Sequence, residues 1–234
     1  ADRLADFSVE RMKSNLTLAN SNWTASRLRQ SLGIEARTVY PPVVDPARPR
    51  PWDERQAGFL AIGRISPEKD YERIMRILTR VRLLNPEITL MIVGTWDRHA
   101  RRYYEQLRRL AASLGSWIEF RNDVSREEIR ALMATHRYGL HGMREEHFGM
   151  APAEMVRAGM IVWVPNGGGQ VEIVGAEPSL VYDREDQAAD QISGVLSNPV
   201  EQRRLRGLLA DRAHLFGTAR FISEVQDLVR TFKE

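Results

Sequence analysis

The chain contains no cysteine among its 234 residues. That excludes disulfide frameworks, thiolate zinc sites and cysteine nucleophiles, and it leaves the redox compartment undecided. Lysine is almost as scarce. Lys13, Lys69 and Lys233 are the three present, and the other 31 of the 34 basic residues are arginine. The bias reads as genome composition rather than a nucleic-acid footprint. The 31 acidic residues are interleaved throughout, and no run of like charge forms a stripe that could track phosphates. No apolar run approaches the ~18 residues of a membrane span, and no secretory signal opens the chain. A soluble, cytoplasmic domain is the default expectation. Nor is there an opening methionine: the chain starts at Ala1, which points to a larger protein that was cut.

What is there is ordinary globular material. Hydrophobic residues make up 43% and charged residues 28%, enough apolar side chain to fill a core without a staple. Short apolar runs recur at 59–62, 89–93, 117–120, 138–140, 160–164 and 180–182. Several are apolar at consecutive positions, as strands covered on both faces are. Between them lie helical patterns, such as Ile74, Ile77, Leu78 and Val81, and then Tyr103, Leu107, Leu110 and Leu114. Strand and helix alternating about five times predict a doubly wound α/β domain with a parallel sheet. Three helices, at about 186–197, 199–215 and 219–232, are expected to close the chain.

The first forty-odd residues stand apart. A helix to about Lys13, a strand at 16–19 and a helix capped by Ser21 or Asn22 and ended by Gly33 are expected there. A short extended piece follows at 37–40. The stretch from Tyr40 to Pro51, with Pro41, Pro42, Pro46, Pro49 and Pro51, reads as an interdomain linker, and the elements before it, too few for a core of their own, either dock on the main domain or are the remnant of a second one.

In open α/β sheets ligands bind beyond the carboxyl ends of the strands, so the loops after the apolar runs are where chemistry is expected. In Gly63-Arg64-Ile65-Ser66-Pro67-Glu68-Lys69, Gly63 allows a tight exit from the strand. Arg64 and Lys69 there set two cations near a helix start, a setting that suits a diphosphate. A solvated surface charge is the plainer reading of Arg64; Lys69, one of three lysines, is less easily dismissed. The segment lacks the glycines and the Lys-Ser/Thr ending of a Walker loop.

The second loop carries Glu146 and Glu154, with Gly149 and Pro152 between them. Eight-residue spacing is weak by itself, since Glu119/Glu127 and Glu177/Glu185 share it. Context matters more: Gly149 permits close backbone approach and Pro152 suits a first helical turn, so both carboxylates can face one ligand. The plainer alternatives are a solvated loop acid at Glu146 and a helix-start carboxylate at Glu154. The third loop, Asn166 to Gly169, offers backbone N–H groups to an anion or a sugar hydroxyl, or is a flexible turn. His141 and His147 read as polar loop residues, with no partners at metal-ligand spacing.

Together these loops resemble the family 4 retaining glycosyltransferases of GT-B fold. The matching phrases are Ser21-Asn22-Trp23-Thr24-Ala25, Tyr40-Pro41-Pro42-Val43, Gly63-Arg64 through Lys69, Val93-Gly94, Glu146 through Glu154, and Gly168-Gly169 with Glu172-Ile173-Val174. Order and spacing match over about residues 17–175. The Glu-His-Phe-Gly wording is most similar to dolichol-pathway α-1,2-mannosyltransferases that use GDP-mannose.

The resemblance implies two Rossmann-like domains with the active site in the cleft between them. Residues 1–45 would be the remnant of the amino-terminal acceptor domain plus linker, and 46–234 the domain that binds a GDP- or UDP-linked sugar. Arg64 and Lys69 would hold the diphosphate and Glu154 the ribose. Glu146, with the backbone of Phe148, Gly149 and Met150, would hold the hexose; Gly63 and Ala151 belong to the same donor site. Val124 and Ser125 would contact the base. With no Asp-x-Asp present, chemistry without a metal or other cofactor is implied. The other partners expected are a saccharide or lipid-linked acceptor and a membrane surface touched by the full-length protein, but no nucleic acid. The family's acceptor domain, with its own cleft glycine loop and histidine, is expected to be missing, so donor binding without efficient transfer follows. A non-enzymatic nucleotide-sugar-binding module stays open beside this. An NAD-dependent oxidoreductase or an epimerase would need a glycine fingerprint and a ribose-binding acid after the first strand, where this chain has arginine and lysine.

Overall fold

The computed structural model describes residues 8, 10, 13–44 and 46–233. Most of the expected opening helix lies outside the described residues. Strand β1 (Thr17–Ala19) pairs in parallel with β2 (Ala36–Thr38), and helix α1 (Asn22–Leu32) connects them. Of the two candidate caps it is Ser21 that starts α1, its hydroxyl accepting from the Thr24 N–H. Gly33 closes the helix, its N–H returning to the Arg29 carbonyl.

From residue 56 onward strands and helices alternate. The elements are β3 (Gln56–Ile62), α2 (Tyr71–Arg82), β4 (Leu90–Gly94), α3 (Arg101–Leu114), β5 (Ile118–Asn122), α4 (Arg126–Thr135), β6 (His136–Leu140), α5 (Met150–Arg157), β7 (Ile161–Pro165), α6 (Gln170–Ile173) and β8 (Val181–Tyr182). Helices α7 (Glu185–Leu196), α8 (Pro199–Ala213) and α9 (Thr218–Lys233) follow, as their periodicity predicts. The six strands from β3 onward form one parallel sheet in the order β5-β4-β3-β6-β7-β8. The chain thus winds outward one way from β3 and then the other way from β6. The crevice between those two strands is the topological switch point, where such sheets bind ligands.

Burial explains the apolar runs. Phe59, Leu60, Ile92, Leu140 and every residue of β7 are sealed from solvent. Edge strand β5 instead alternates half-buried Ile118 and Phe120 with exposed Glu119 and Arg121, charges that discourage further strand pairing. Helix α2 buries Ile74, Met75, Ile77, Leu78 and Val81, each contributing ~1.5–3 kcal/mol by leaving water. It packs against α3 and α7, while α5 packs against α6 and α8.

The proline-rich stretch from Tyr40 is anchored at Val43, which is fully buried and whose N–H donates to the Phe216 carbonyl at 2.8 Å. Arg157 donates to the Val43 carbonyl from the other side. The amino-terminal β-α-β piece is therefore tied at its end to α5 and to the segment between α8 and α9.

Candidate active site

Two loops meet at the switch point. The first leaves β3 at Gly63 and turns through Pro67–Lys69 into α2. Asp70 caps α2 from a left-handed backbone (φ 48°), its carboxylate accepting from the Arg73 N–H. That turn, uncommon for a side-chain-bearing residue but tolerated by Asp, points Lys69 back across the crevice. The second loop leaves β6 at His141 and runs to Gly149, which opens α5 at φ 106° with Gln170 and Ile173 so close that a Cβ would touch both.

Between them lies a cavity of about 400 Å³. Its walls include the predicted Gly63, Arg64, Lys69, Glu146, Phe148, Gly149, Met150 and Ala151. Lys69 Nζ reaches Glu146 Oε2 at 2.5 Å and the Met143 sulfur at 3.3 Å. His141 Nε2 lies 3.4 Å from the same carboxylate oxygen. The approach of that ring nitrogen, and then the hydrogen bond and charge of Lys69, hold the Glu146 carboxyl down to about 2, against the desolvation that opposes it. Burial keeps the His141 imidazole below its ordinary value and so neutral. Arg64 stands at the rim, 77% exposed and 3.6 Å from Glu68, with room to turn toward a ligand.

The start of α5 faces the same cavity at Met150 and Ala151, and the next residue, Pro152, has no N–H. The positive end of the helix dipole thus adds to Lys69 and Arg64. Phe148 belongs to the wall, with its ring buried against Tyr40 and Phe216.

The Glu146 loop is fastened from behind. The buried Gln170 amide nitrogen lies within hydrogen-bond distance of the carbonyls of Met143, Arg144, Pro165 and Gly167, at 2.7–3.2 Å. The Gly169 N–H donates to the Glu146 carbonyl at 2.8 Å. At Gly168, φ is 86° and a Cβ would collide with the Glu146 backbone. The glycine triplet therefore works as a bed for the Glu146 loop: one N–H expected to face a ligand is taken by that loop.

From outside, Ser21 and Thr24 both donate to the His147 carbonyl, at 2.5 and 3.2 Å, and Trp23 stacks on the His147 ring. Glu172 accepts from the Asn22 and Trp23 N–H groups and from the Tyr40 hydroxyl, at 2.7–3.0 Å, capping α1 from a distant part of the chain. Burial and then Glu172 push the Tyr40 phenol up to about 12.

Not every predicted residue joins the cavity. Glu154, in the second turn of α5, is 10% exposed and accepts from Arg126 at 2.9 Å. It lines a separate hollow of about 130 Å³ with Val44, Arg126, Arg130 and Met133, so the two carboxylates do not share one wall. Burial raises its pKa, opposed by Arg126. Val124 and Ser125 sit past the carboxyl end of β5, outside the cavity lining, and Ser125 is engaged in a capping box with Glu128. Conversely, the cavity walls include Asn20, Pro41 and His141, which sequence reasoning missed. For His141 a signal existed: it is the first polar residue past an apolar strand, the position from which such sheets present ligand-binding groups. Among the described residues no cluster of three or more His, Asp or Glu could hold a metal ion, and no helix is long and apolar enough to cross a membrane.

A parallel sheet with cations and a helix start gathered at its switch point is a doubly wound α/β domain with a polar cavity where such sheets take ligands. Comparison with known proteins makes this specific: the model of the glycosyl transferases group 1 family matches residues 47–207, and the chain belongs to that family. It is 28% identical over 212 residues to a human protein named GDP-Man:Man(3)GlcNAc(2)-PP-Dol alpha-1,2-mannosyltransferase, covering 81% of this chain and 43% of the relative. The Dictyostelium discoideum protein of the same name is 30% identical over 179 residues, 68% of this chain and 35% of that one. The chain therefore spans less than half the length of these relatives. Among solved structures, HepE of Anabaena in complex with UDP and glucose superimposes with a TM-score of 0.80 at 17% identity, covering 97% of this chain and 68% of HepE. Sucrose-phosphate synthase from Thermosynechococcus elongatus gives 0.77 at 19% identity, over 96% and 60%. These likenesses are of fold, and the fold is that of GT-B glycosyltransferases.

Proposed function

We propose that the chain is the donor-binding part of a retaining hexosyltransferase of family 4, and that its cavity takes a nucleoside-diphosphate sugar, GDP-mannose first among them and a UDP-sugar second. One observation carries this reading: Lys69, Arg64, Glu146 and the start of α5 converge on a single cavity at the switch point. Cations and helix dipole suit a diphosphate, and a carboxylate held ionised suits sugar hydroxyls. Breaking the bond between the sugar C1 and the phosphate oxygen leaves negative charge on the departing diphosphate. Arg64 and Lys69 stabilise that charge, the part a metal plays elsewhere. Glu154 takes the ribose and Val124 with Ser125 the base, from just outside the cavity. A saccharide or lipid-linked acceptor is held by an amino-terminal domain beyond this chain, at the cytosolic face of a membrane, so the chain alone binds donor and transfers poorly.

Calorimetric titration with GDP, GDP-mannose, UDP and UDP-glucose tests the reading. Lys69→Ala and Arg64→Ala are each expected to weaken GDP binding about tenfold, the loss of one charge-assisted contact. Glu146→Ala is expected to leave GDP binding intact and to erase the preference for GDP-mannose over GDP. Failure of every nucleotide to bind at millimolar concentration overturns the reading.

A further inference from the structure

His141 is fixed by the sheet and not by the loop it opens. Its N–H donates to the Trp163 carbonyl at 3.0 Å, and its carbonyl accepts from the buried Tyr182 hydroxyl at 2.5 Å. The residue is 4% exposed and forms part of the cavity wall, and its Nε2 is sealed from solvent without a hydrogen-bond partner. The acceptor facing that nitrogen is Glu146 Oε2, at 3.4 Å, the oxygen Lys69 already reaches at 2.5 Å.

A sealed ring nitrogen at that distance from a carboxylate oxygen must carry the proton. Lone pair against lone pair is repulsive in a poorly screened interior, whereas N–H against carboxylate attracts. Burial, with Lys69 close by, resists a second proton on the ring. The charged and titratable groups that face or flank the imidazole are Glu146, Lys69, Tyr182 on its carbonyl, and Arg73, which donates to the carbonyl of the adjacent Gly142 at 3.3 Å.

We infer that His141 is a positioning residue for Glu146: its Nε2–H takes over the Glu146 carboxylate when a donor diphosphate draws Lys69 away. The inference rests on the donor-binding reading above. In that reading Lys69 belongs to the diphosphate and Glu146 to the hexose, yet the two are paired with each other. When the ammonium turns to phosphate, Oε2 loses its strongest donor, and a carboxylate this enclosed needs another. His141 has only to close from 3.4 Å to an ordinary hydrogen-bond length. It then keeps Glu146 in place at the cavity wall, without adding a charge that would compete for the phosphate.

The test uses two readouts on the whole chain. The first is calorimetry of GDP and GDP-mannose with wild type, His141→Ala and His141→Gln, whose amide nitrogen stands near the place of Nε2. His141→Ala is expected to lose about tenfold in GDP-mannose affinity with little change for GDP, and His141→Gln to regain most of the loss. The second is nitrogen-15 NMR of the histidine rings, with the His141 signals identified by their disappearance in His141→Gln. They are expected to show a ring protonated on Nε2 that stays neutral to lower pH than an unperturbed histidine does. Unchanged GDP-mannose affinity in His141→Ala, or a ring protonated on Nδ1 while GDP-mannose still binds wild type, overturns this inference and leaves the donor reading standing. Wild type that binds no nucleotide overturns both.

Discussion

Glu146 gives up its proton far more readily than a free glutamate, which has a measurable consequence for stability. Its carboxyl sits near 2 when folded and 4.5 when free, because of His141 first and Lys69 next. The ionised form is thus stabilised by folding. That contribution is complete above the unfolded value and is lost as pH falls toward the folded one. Denaturant melts between about pH 5 and 2 should show wild type losing up to ~3 kcal/mol from this source, less for the open side of the cavity, and Glu146→Gln should remove that part of the slope. Glu154 works the other way. Burial raises its pKa, so at neutral pH the fold holds a charge it disfavours, and the paired Arg126, 78% exposed, is well screened. Glu154→Gln is expected to raise stability by ~0.5–1 kcal/mol, about 1–4 °C in Tm, while weakening nucleotide binding. Single residues were legible where their type was rare or their place constrained, as with Lys69 and Gly149. His141 was legible only by its place just past an apolar strand; an isolated histidine there does not tell whether its ring is exposed or buried, as this one is. The separation of Glu154 from Glu146 was hidden too: spacing along a helix start does not say which hollow a side chain enters.

Elements came through the sequence more clearly than their contacts. Consecutive apolar residues at 59–62 and 160–164 mark strands covered on both faces, and β3 and β7 are that. Gly168 and Glu172 show what pattern alone misses. Both were read for what they could offer a ligand or a motif; their work is to join elements. Gly168→Ala would strain a left-handed backbone and push the Glu146 loop forward. A loss of ~1–3 kcal/mol is expected, with GDP-mannose preference falling further than GDP affinity, as paired melts and titrations would show. Glu172→Ala leaves the Asn22 and Trp23 N–H groups and the Tyr40 hydroxyl without their acceptor. Its expected cost is ~2–3 kcal/mol, readable as earlier proteolysis around α1 than in wild type. Val43 makes the same point in reverse. A single anchoring side chain in a proline-rich stretch has no period, so composition does not show where packing fastens it.

For the molecule as a whole, the doubly wound order and the placement of ligand chemistry at its reversal follow from the alternation of strands and helices, which is why the sheet could be foreseen. Docking of the amino-terminal β-α-β piece stays one of two alternatives at the level of sequence, since it depends on pairings across more than a hundred residues, such as Ser21 with His147. A ligand that binds only the folded chain shifts its melting by mass action. GDP-mannose at a hundredfold excess over its Kd should add ~2.7 kcal/mol, about 5–10 °C in Tm, and Lys69→Ala at the same concentration should show about half of this rise.

The bond from Ser21 to the carbonyl beside Glu146 has a mechanical meaning. Helix α1 and the cavity wall share a rivet, so a tug or twist arriving through β1 is felt one peptide away from the carboxylate. Any strain carried by that strand has, in this hydroxyl, a lever on the Glu146 loop.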